Sequence, residues 1–456
     1  MRSIAAVVLL AVLIAPATGF WTCYPVDTAG VQARAWWTVL KVWADTIHIA
    51  YAVHTSQDPF QTCIRYARAD LCSLTWTIET VDTCTNYASG QALLGWWRGG
   101  LDLDSAGQPH IAYTVVASNG SFCMRAKRTG PGSWKLDTVE MRTSLPVVCH
   151  DADLVLDWRS MAHIVYTHYG VMTRYAVEDD TGWFRYDLAL GAPYGVGLKL
   201  DSVSNPHVVV GTLDSVNYAY SPNGGGSWLT ERVDAGWWHV DIDLDANDRP
   251  LVAYTRLHNQ VRFGRRDGPD DWFTSYVDAG GENCCRPSIH AGVVPRTPVV
   301  AYYPYMNHPG LRWAQSDDSG TTWHPESVAA TGGVYSSCSY PSFEDDGSQW
   351  YIAYQAAGYK LWLAVNNYTG IEEQPVHSSG RVQVRPNPTK GPIQVMMNGL
   401  SRSGSVVEVF DAAGRTVARS LALSGRARLD LKGLPSGVYV VRIEEADQLT
   451  KVVLRR

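Results

Sequence analysis

The segment Pro109-His110-Ile111-Ala112-Tyr113 is the strongest indication of the fold, because this and six related strand-like segments recur along the chain. The seven copies begin at residues 47, 109, 162, 206, 250, 298 and 350. Successive starts are 62, 53, 44, 44, 48 and 52 residues apart. Units of about 50 residues, with room for four short strands and polar turns, are typical of β-propeller blades. The sequence therefore predicts an all-β fold whose main domain is a seven-bladed β-propeller.

The seventh unit contains only three predicted strands, and its fourth is predicted from the other end of the chain. Residues 20–30, FWTCYPVDTAG, parallel residues 272–280, WFTSYVDAG, where the fourth strand of the fifth unit is expected. An N-terminal strand that completes the last blade would remove the open sheet edges between the first and last blades. We therefore predict a propeller over residues 20–370, closed by its N-terminal strand.

Residues 1–19 are predicted to be a secretory signal peptide. Arg2 precedes an apolar run from Ile4 to Ile14, and Ala15-Pro16-Ala17 offers a cleavage site. The run is too short to span a bilayer comfortably, and no later stretch reaches 18 apolar residues. We expect an exported protein with no transmembrane segment in the mature chain.

Composition and charge argue against several classes of partner. The 456 residues are 46% hydrophobic and 18% charged, and 38 Lys+Arg against 44 Asp+Glu leave a net charge of −6. So small a charge argues against nucleic acid or an anionic membrane as the main partner. The sequence lacks phosphate-binding loops, dinucleotide fingerprints and metal-ligand motifs, so we predict no cofactor and no metal.

Two turns within the propeller carry a second signature. Residues 316–323, SDDSGTTW, fit the pattern S-x-D-x-G-x-T-W, and residues 221–228, SPNGGGSW, are a weaker copy. In these turns the chain resembles bacterial propellers with Asp-box repeats, which include sialidases and many non-catalytic relatives. The resemblance implies a structural role in which the Asp or Asn caps the hairpin and the Trp packs between sheets. The residues concerned are Ser316, Asp318, Gly320, Trp323, Asn223 and Trp228.

After a linker at residues 371–380, the composition changes, because residues 381–456 contain no Trp and no Cys. Alternating short strands predict a small immunoglobulin-like β-sandwich. Four motifs occur in order: P-N-P, F-D-x-x-G-R, L-P-S-G-V-Y and K-V-V-L-R. Their key residues are Pro386, Asn387, Pro388, Gly414, Arg415, Gly437, Tyr439 and Lys451.

This C-terminal module resembles the type A sorting domain of type IX secretion. The resemblance implies export to the outer surface of a Gram-negative-type bacterium, or beyond it, with the outer-membrane secretion machinery as partner. A FlgD-like immunoglobulin domain is the second interpretation, although its usual W-D-G-x-D element is absent. A plain adhesive sandwich is the third.

The repeated Asp and His residues favour structural roles. The Asp residues at the ends of first strands head turns in which Asp caps its own backbone. The side chains two residues before these Asp residues are acidic, basic and apolar, so no ring of carboxylates is predicted. These side chains are Asp102, Val155, Lys199, Asp243 and Phe343. The His residues recur at one repeat position without a metal-ligand partner motif; they are His48, His110, His163 and His207.

Nine cysteines in an exported chain permit disulfides and leave at least one thiol over. Cys284 or Cys285 with Cys338 would bridge adjacent blades. Cys72 with Cys84 would close a local loop. A metal cluster is the alternative, but no C-x-x-C pair supports it.

Three tryptophan pairs are the candidate ligand site, since they stand where blades 1, 2 and 5 begin. One Trp of each pair is expected in the core, because strand residues alternate. The other is expected to face the central funnel, where an indole can stack on a sugar or hold a peptide. The pairs are Trp36-Trp37, Trp96-Trp97 and Trp237-Trp238.

Together these patterns predict an exported, non-catalytic propeller that binds glycan or protein at or outside the cell surface. A secreted sialidase-like glycoside hydrolase is the alternative, for which no convergent set of three Arg is found in equivalent blade positions. A structural or adhesive surface protein is the third possibility.

Overall fold

The computed structural model describes most of the propeller and much of the C-terminal module. The described residues are 20–27, 35–54, 62–83, 92–94, 98–143, 149–256, 260–278, 285–291, 298–303, 310–329, 341–346, 349–356, 360–367, 381–385, 392–398, 406–411, 415–421, 426–435, 437–443 and 446–454. The chain divides into two units, Met1–Tyr368 and Thr369–Arg456. The predicted signal peptide and linker lie outside the described residues.

Within the described part of the first unit, seven antiparallel sheets follow one another along the chain. The N-terminal strand is β1, Phe20–Asp27. Blade 1 contains β2 Ala35–Trp43, β3 Thr46–His54, β4 Thr62–Asp70 and β5 Thr77–Thr83. Blade 2 contains β6 Ala92–Leu94, β7 Gly100–Leu103, β8 Pro109–Ala117, β9 Gly120–Gly130 and β10 Ser133–Arg142. Blade 3 contains β11 Cys149–Leu156, β12 Ala162–His168, β13 Met172–Asp179 and β14 Gly182–Leu188.

The remaining blades repeat this order. Blade 4 contains β15 Gly195–Leu200, β16 Pro206–Gly211, β17 Val216–Tyr220 and β18 Leu229–Asp234. Blade 5 contains β19 Trp237–Leu244, β20 Pro250–Arg256, β21 Gln260–Gly268 and β22 Asp271–Asp278. Blade 6 contains β23 Cys285–His290, β24 Val299–Tyr303, β25 Leu311–Gln315 and β26 His324–Ala329. Blade 7 contains β27 Ser342–Asp345, β28 Trp350–Ala356 and β29 Lys360–Asn367.

The seven sheets form a closed ring. The first strand of each blade contacts the first strands of both neighbouring blades, and the series closes from β27 back to β2. In blade 2 this position is shared by β6 and β7, which both pair with β8. The N-terminal strand β1 pairs antiparallel with β29 and is the outermost strand of blade 7. The chain thus contains a seven-bladed β-propeller, as the repeats predict.

The tyrosine that ends the recurring segment holds neighbouring blades together. Tyr302 Oη donates to Asp278 Oδ2 on the last strand of the preceding blade, at 2.6 Å, and Arg312 Nη1 approaches the same oxygen at 2.7 Å. We call this arrangement the interblade lock. Equivalent tyrosine–carboxylate pairs are Tyr51–Asp27, Tyr113–Asp82, Tyr166–Glu140 and Tyr254–Asp234. A buried hydrogen bond to a charged group contributes about 1.5–3 kcal/mol, so these pairs stabilise the ring appreciably.

The two signature turns share one hydrogen-bond scheme. Asp318 Oδ1 accepts from Thr322 N at 2.7 Å, and Gly320 N donates to Ser316 Oγ at 2.7 Å. The indole of Trp323 donates to Gly320 O and packs edge-on against Phe263 of the preceding blade. In the other turn, Asn223, Gly225, Ser221 and Trp228 make the corresponding contacts. The turns therefore serve folding and interblade packing, whereas membership of the Asp-box class stays a resemblance.

The C-terminal unit consists of two sheets around one apolar core. The first sheet contains β30 Arg381–Arg385, β31 Pro392–Asn398 and β34 Arg426–Asp430. The second contains β32 Val406–Phe410, β33 Thr416–Leu421, β35 Gly437–Ile443 and β36 Ala446–Leu454. Core side chains such as Val395, Val409 and Val441 come from both sheets, which confirms the predicted small sandwich; its immunoglobulin-like topology stays a prediction.

Two of the C-terminal motifs have structural roles in this unit. Arg415 N donates to Asp411 Oδ1 at 2.9 Å and its Nε to Oδ2 at 2.8 Å, which closes the turn of the F-D-x-x-G-R motif. Tyr439 Oη donates to Pro435 O at 2.7 Å within L-P-S-G-V-Y. Gly437 begins β35, and Lys451 lies in β36. Residues 386–388 and 414 lie outside the described residues.

Candidate functional site

Seven side chains at equivalent positions of the first strands surround the propeller axis, and we call them the axial belt. Each stands opposite the second residue of the recurring segment; the set is Lys41, Asp102, Val155, Lys199, Asp243, His290 and Glu344. The expectation that Phe343 belongs to this series is wrong, because the register puts Glu344 there and Phe343 is buried in the core. Except at Val155, positive and negative groups alternate around the belt. The belt is therefore not a ring of carboxylates, as predicted. Its positive and negative side chains instead alternate from blade to blade.

Ion pairs along the belt join neighbouring blades. Lys41 Nζ lies 2.6 Å from Glu344 Oε1, which connects blades 1 and 7. Lys199 Nζ lies 3.1 Å from Asp243 Oδ1, which connects blades 4 and 5. Burial opposes the charge on Lys41, yet the coulombic attraction of Glu344 and Asp102 raises its pKa well above the usual range. Lys41 is therefore charged at neutral pH and is compensated by its acidic neighbours in the belt.

The axial carboxylates also accept backbone N–H groups from the next blade. Leu156 N donates to Asp102 Oδ2 at 2.8 Å. Similarly, Ala291 N donates to Asp243 Oδ2 at 2.8 Å. Comparable bonds join Leu198 N to Asp153 and Ile289 N to Asp241. Because first strands present an unpaired edge to the axis, these carboxylates satisfy donors that would otherwise be buried without partners.

Arg98 crosses the axial opening from blade 2 to blades 4 and 5. Its Nη1 donates to Val196 O at 3.2 Å and to Val240 O at 3.0 Å, while Nη2 donates to Asp241 Oδ1 at 2.6 Å. Its backbone N donates to Asp151 Oδ1 of blade 3 at 3.0 Å. A guanidinium with five donors in a rigid fork is suited to such multiple contacts. Arg98 thus connects four blades and fills part of the channel.

The space that remains along the axis is small. The cavity lined by Lys41, Arg98, Lys199 and His290 has a volume of about 60 Å³. One water needs about 10–15 Å³ of such space, so this cavity holds several waters. The carboxylates beside this cavity, such as Asp153 and Asp241, are engaged in structural contacts with backbone amides.

A histidine in the belt is clamped between two carboxylates. His290 Nδ1 lies 3.1 Å from Asp243 Oδ2, and its Nε2 lies 2.8 Å from Asp345 Oδ2. Burial alone would lower the pKa of His290, but the hydrogen bonds to both carboxylates raise it to about 10. The imidazolium is therefore the form present at neutral pH, and it joins blades 5, 6 and 7.

The repeated histidines of blades 1 to 4 are buried, as expected for a structural role. His48 Nδ1 lies 2.5 Å from Tyr66 Oη, and His207 Nδ1 lies 2.7 Å from Tyr218 Oη. Burial lowers the pKa of His48 to about 4, so its imidazole is neutral at physiological pH. These groups connect strands within each blade.

One buried constellation has the residue types of a nucleophilic triad. Cys149 Sγ lies 3.9 Å from His168 Nδ1, and His168 Nε2 lies 3.5 Å from Glu140 Oε2. However, Cys149 and His168 are fully buried, and burial raises the pKa of the thiol to about 12. The thiolate that such chemistry needs is not formed at neutral pH, so this group serves packing.

The described Trp pair of blade 5 lies in a β-bulge. The pairing of β19 with β20 jumps from Trp237↔Thr255 to Val240↔Tyr254, which leaves Trp238 and His239 without partners in the ladder. The bulge re-aims side chains that strict alternation would bury. Trp237, Trp238 and His239 are all half-buried and lie at the face where the blade-to-blade loops run.

Trp238 belongs to a chain of aromatic contacts across blades 3 to 5. Tyr194 stacks on Trp238 with a 5.1 Å centroid separation and an 8° interplanar angle. Tyr169 meets Tyr194 edge-on at 4.8 Å, and Trp237 lies 5.2 Å from Trp238. The outer members are exposed, Tyr169 to 43%, Val171 to 54% and Leu213 to 49%. We call the set the aromatic surface; it comprises Tyr169, Val171, Tyr194, Leu213, Trp237 and Trp238.

The backbone around the aromatic surface is held by close glycine contacts. A Cβ on Gly195 would lie 2.1 Å from Trp238 O, and one on Gly211 would lie 2.5 Å from the same oxygen. Gly170 N donates to Pro193 O and Tyr194 N to Gly211 O, so the neighbouring loops are tied together. The surface is therefore preorganised before any ligand arrives.

Trp37 has a different environment from Trp238. It is fully buried between blades 1 and 2, and a Cβ on Gly99 would lie 2.5 Å from its ring. The proposal of Trp37 as a ligand contact is therefore wrong; it is the core member of its pair. Trp36 is in β2, but its side chain lies outside the described residues, as do Trp96 and Trp97.

The disulfide predictions fall mostly outside the described residues. Cys84, Cys284 and Cys338 lie there, and only the backbone of Cys285, at the start of β23, is described. Cys72 is exposed and forms no disulfide with another described cysteine. The proposed pairings stay predictions.

Several residues of the aromatic surface were not predicted from the sequence. Tyr169 and Leu213 occupy turns between second and third strands, and Tyr194 precedes β15. No spacing in the sequence relates these positions to Trp238, because the loops come together only in the ring. Their signal was composition alone: large apolar side chains in turns that are otherwise polar.

The comparisons identify the C-terminal unit. Residues 383–455 match the family model described as a secretion system C-terminal sorting domain. The chain is therefore a β-propeller with a C-terminal sorting domain of type IX secretion, and this domain implies export. No helix long and apolar enough to cross a membrane occurs in the part of the chain described here.

Known structures resemble the propeller without identifying it. A protein of unknown function from Dyadobacter fermentans gives a TM-score of 0.47 at 11% identity, covering 75% of this chain and 97% of its own. A Trypanosoma rangeli sialidase in complex with sialic acid gives 0.45 at 10%, covering 95% and 86%. The SapL1 lectin in complex with α-methyl fucoside gives 0.42 at 12%, covering 66% and 98%. Likenesses this weak carry no functional assignment, and no curated protein matches the chain.

Proposed function

We propose that this chain is an exported recognition protein whose propeller binds a ligand without transforming it. The sorting domain delivers the chain through the secretion machinery, and the face with the blade-to-blade loops meets the ligand. The observation that carries the proposal is the Tyr194–Trp238 stack, because it presents a rigid aromatic patch beside exposed Tyr169.

The energetics of the aromatic surface support a binding role. Aromatic side chains contribute large contact areas at low entropic cost, and exposed contiguous apolar patches mark interaction sites. Trp238 Nε1 is buried, so the surface offers a ligand apolar area rather than this donor.

The axial residues support binding over hydrolysis. A hydrolase of the sialidase type needs a pocket of sugar size with convergent arginines and free carboxylates. The arginine lining the described axial cavity is Arg98, and its guanidinium already contacts two carbonyls and Asp241. Asp153 and Asp243 each accept a backbone amide from the next blade.

The test is a binding screen of the full mature chain against glycan and peptide arrays, with matched variants. Tyr169→Ala removes an exposed ring from the aromatic surface. Trp158→Ala removes a 47% exposed ring from a turn at the opposite ends of the strands and is the control. Binding that is lost in the first variant and kept in the second is expected. If the unmodified chain binds nothing in either array, the proposal that this face binds a ligand is wrong.

A further inference from the structure

The aromatic surface combines exposed aliphatic side chains with opposite charges at its two borders. Val171 and Leu213 are about half exposed, although they lie in turns that are free to carry polar residues. Hydroxyl-rich sugars gain little from aliphatic side chains, whereas apolar side chains of a partner are desolvated by them. The aliphatic members therefore favour a polypeptide ligand.

The residue types point in the same direction. Tyr, Trp and Arg are enriched at protein–protein hot spots, and such hot spots sit where the surface is well packed and already ordered. Tyr194, Trp237 and Trp238 pack against one another, so little conformational entropy is lost when a partner covers them. Val171 and Leu213 extend this packed centre with apolar area.

A carboxylate and a guanidinium border the Trp237–Trp238 segment. Gly236 N donates to Asp214 O at 3.4 Å, and Thr255 Oγ1 donates to Trp237 O at 3.2 Å, immediately before Arg256. Asp214 is exposed, and its pKa is lowered by hydrogen bonds from Thr212 Oγ1 and Ser215 Oγ and further by the charge of Arg232, although among the described residues it forms no ion pair within 4 Å. Arg256 is half-buried and likewise has no acidic partner there.

From this arrangement we infer that the aromatic surface takes a peptide segment of a partner protein, with a large apolar side chain flanked by residues of opposite charge. The apolar side chain packs against Tyr169, Val171 and Leu213. A basic residue of the segment pairs with Asp214, and an acidic residue pairs with Arg256. This inference rests on the proposed recognition function and specifies its ligand.

The experiment selects ligands from a random dodecapeptide library displayed on phage, using the immobilised mature chain, while the same preparation is applied to a glycan array. Selected sequences are synthesised and titrated by calorimetry. We expect them to combine an aromatic or long aliphatic residue with flanking Lys or Arg and Asp or Glu. Leu213→Asp and Asp214→Lys are expected to weaken binding at least tenfold, because the first introduces a charge into the apolar contact and the second reverses the complementary charge.

Controls separate this inference from the proposed function and from misfolding. Val203→Asp places the same charge at a 56% exposed position in a turn between the first and second strands of blade 4, at the opposite ends of those strands, and should leave affinity unchanged. Circular dichroism and the thermal midpoint of each variant confirm that the fold is retained. Specific glycan binding without peptide binding would overturn the peptide assignment and keep the recognition function. Binding of neither class would overturn both, and peptides insensitive to Leu213→Asp and Asp214→Lys would overturn the site.

Discussion

His290 Nε2 lies 2.8 Å from Asp345 Oδ2, so a side chain of blade 6 is joined to the inner strand of blade 7 next to the propeller axis. The other nitrogen of the ring approaches Asp243 of blade 5 at 3.1 Å. The protonated ring therefore compensates two carboxylates that would otherwise repel each other. Three blades depend on the charge of one imidazole.

The first prediction concerns the pH dependence of stability through His290. Its pKa is raised to about 10 in the folded protein, from about 6.5 in the unfolded chain. A raised pKa stabilises the fold fully below pH 6.5, and this contribution is lost as pH rises through 10. His290→Gln should cost about 1.5–3 kcal/mol at pH 6, because it removes the charged hydrogen bonds to Asp243 and Asp345, although Lys199 still pairs with Asp243.

The measurement is urea denaturation of both proteins from pH 6 to pH 10. The difference in unfolding free energy should shrink towards pH 10. His324→Gln changes an exposed histidine in β26 and should follow the unmodified protein throughout. Parallel curves for His290→Gln and the unmodified protein would contradict the assigned protonation.

The second prediction concerns the interblade lock between blades 5 and 6. Tyr302→Phe removes the donor to Asp278 and should lower the unfolding free energy by about 1–3 kcal/mol, because a buried carboxylate loses a hydrogen bond. Tyr354→Phe is the matched control. The residue of β26 at the position equivalent to Asp278 is Ala329, which has no carboxylate for Tyr354 to bond. Its cost, measured by the same denaturation, should be clearly smaller. Equal losses would mean that loss of the hydroxyl itself, rather than of its bond to Asp278, accounts for the cost.

The third prediction concerns Arg98. Arg98→Lys keeps the charge but cannot reach Val196 O, Val240 O and Asp241 together, because an ammonium lacks the planar fork. We expect a loss of about 2–4 kcal/mol, which a thermal melt detects as a clear fall of the midpoint. Arg159→Lys, at an exposed side chain, should be close to neutral. A midpoint unchanged by Arg98→Lys would show that the channel contacts contribute little.

The fourth prediction tests whether the aromatic surface must be preorganised. In Gly195→Ala the new Cβ meets Trp238 O at 2.1 Å, so the bulge has to move and the Tyr194–Trp238 stack is disturbed. Ligand affinity should fall several-fold together with the thermal midpoint. Gly130→Ala has nothing within 4 Å of the new Cβ and is the glycine control. Affinity that survives Gly195→Ala would place the ligand elsewhere on the propeller.

The repeating architecture can be predicted from local sequence patterns alone. Strand alternation and the recurring tyrosine segment are local patterns, and seven copies at blade spacing leave one all-β arrangement that closes. The C-terminal motifs were equally informative, because turns such as Asp411–Arg415 are closed by residues four positions apart. Asx-type turns and buried histidines could also be assigned, since their chemistry is set by near neighbours.

The side chains that lie on the axis and on the face with the blade-to-blade loops could be assigned only from the folded ring. Glu344 rather than Phe343 joins the axial belt because strand pairing, not residue counting, sets the register. Trp37 is buried and Trp238 half-exposed although both belong to a Trp-Trp pair, because each packs against different glycines and loops. Tyr169, Tyr194 and Leu213 are far apart in sequence, and closure of the ring brings them together. Non-local packing of this kind leaves no periodic trace in the chain.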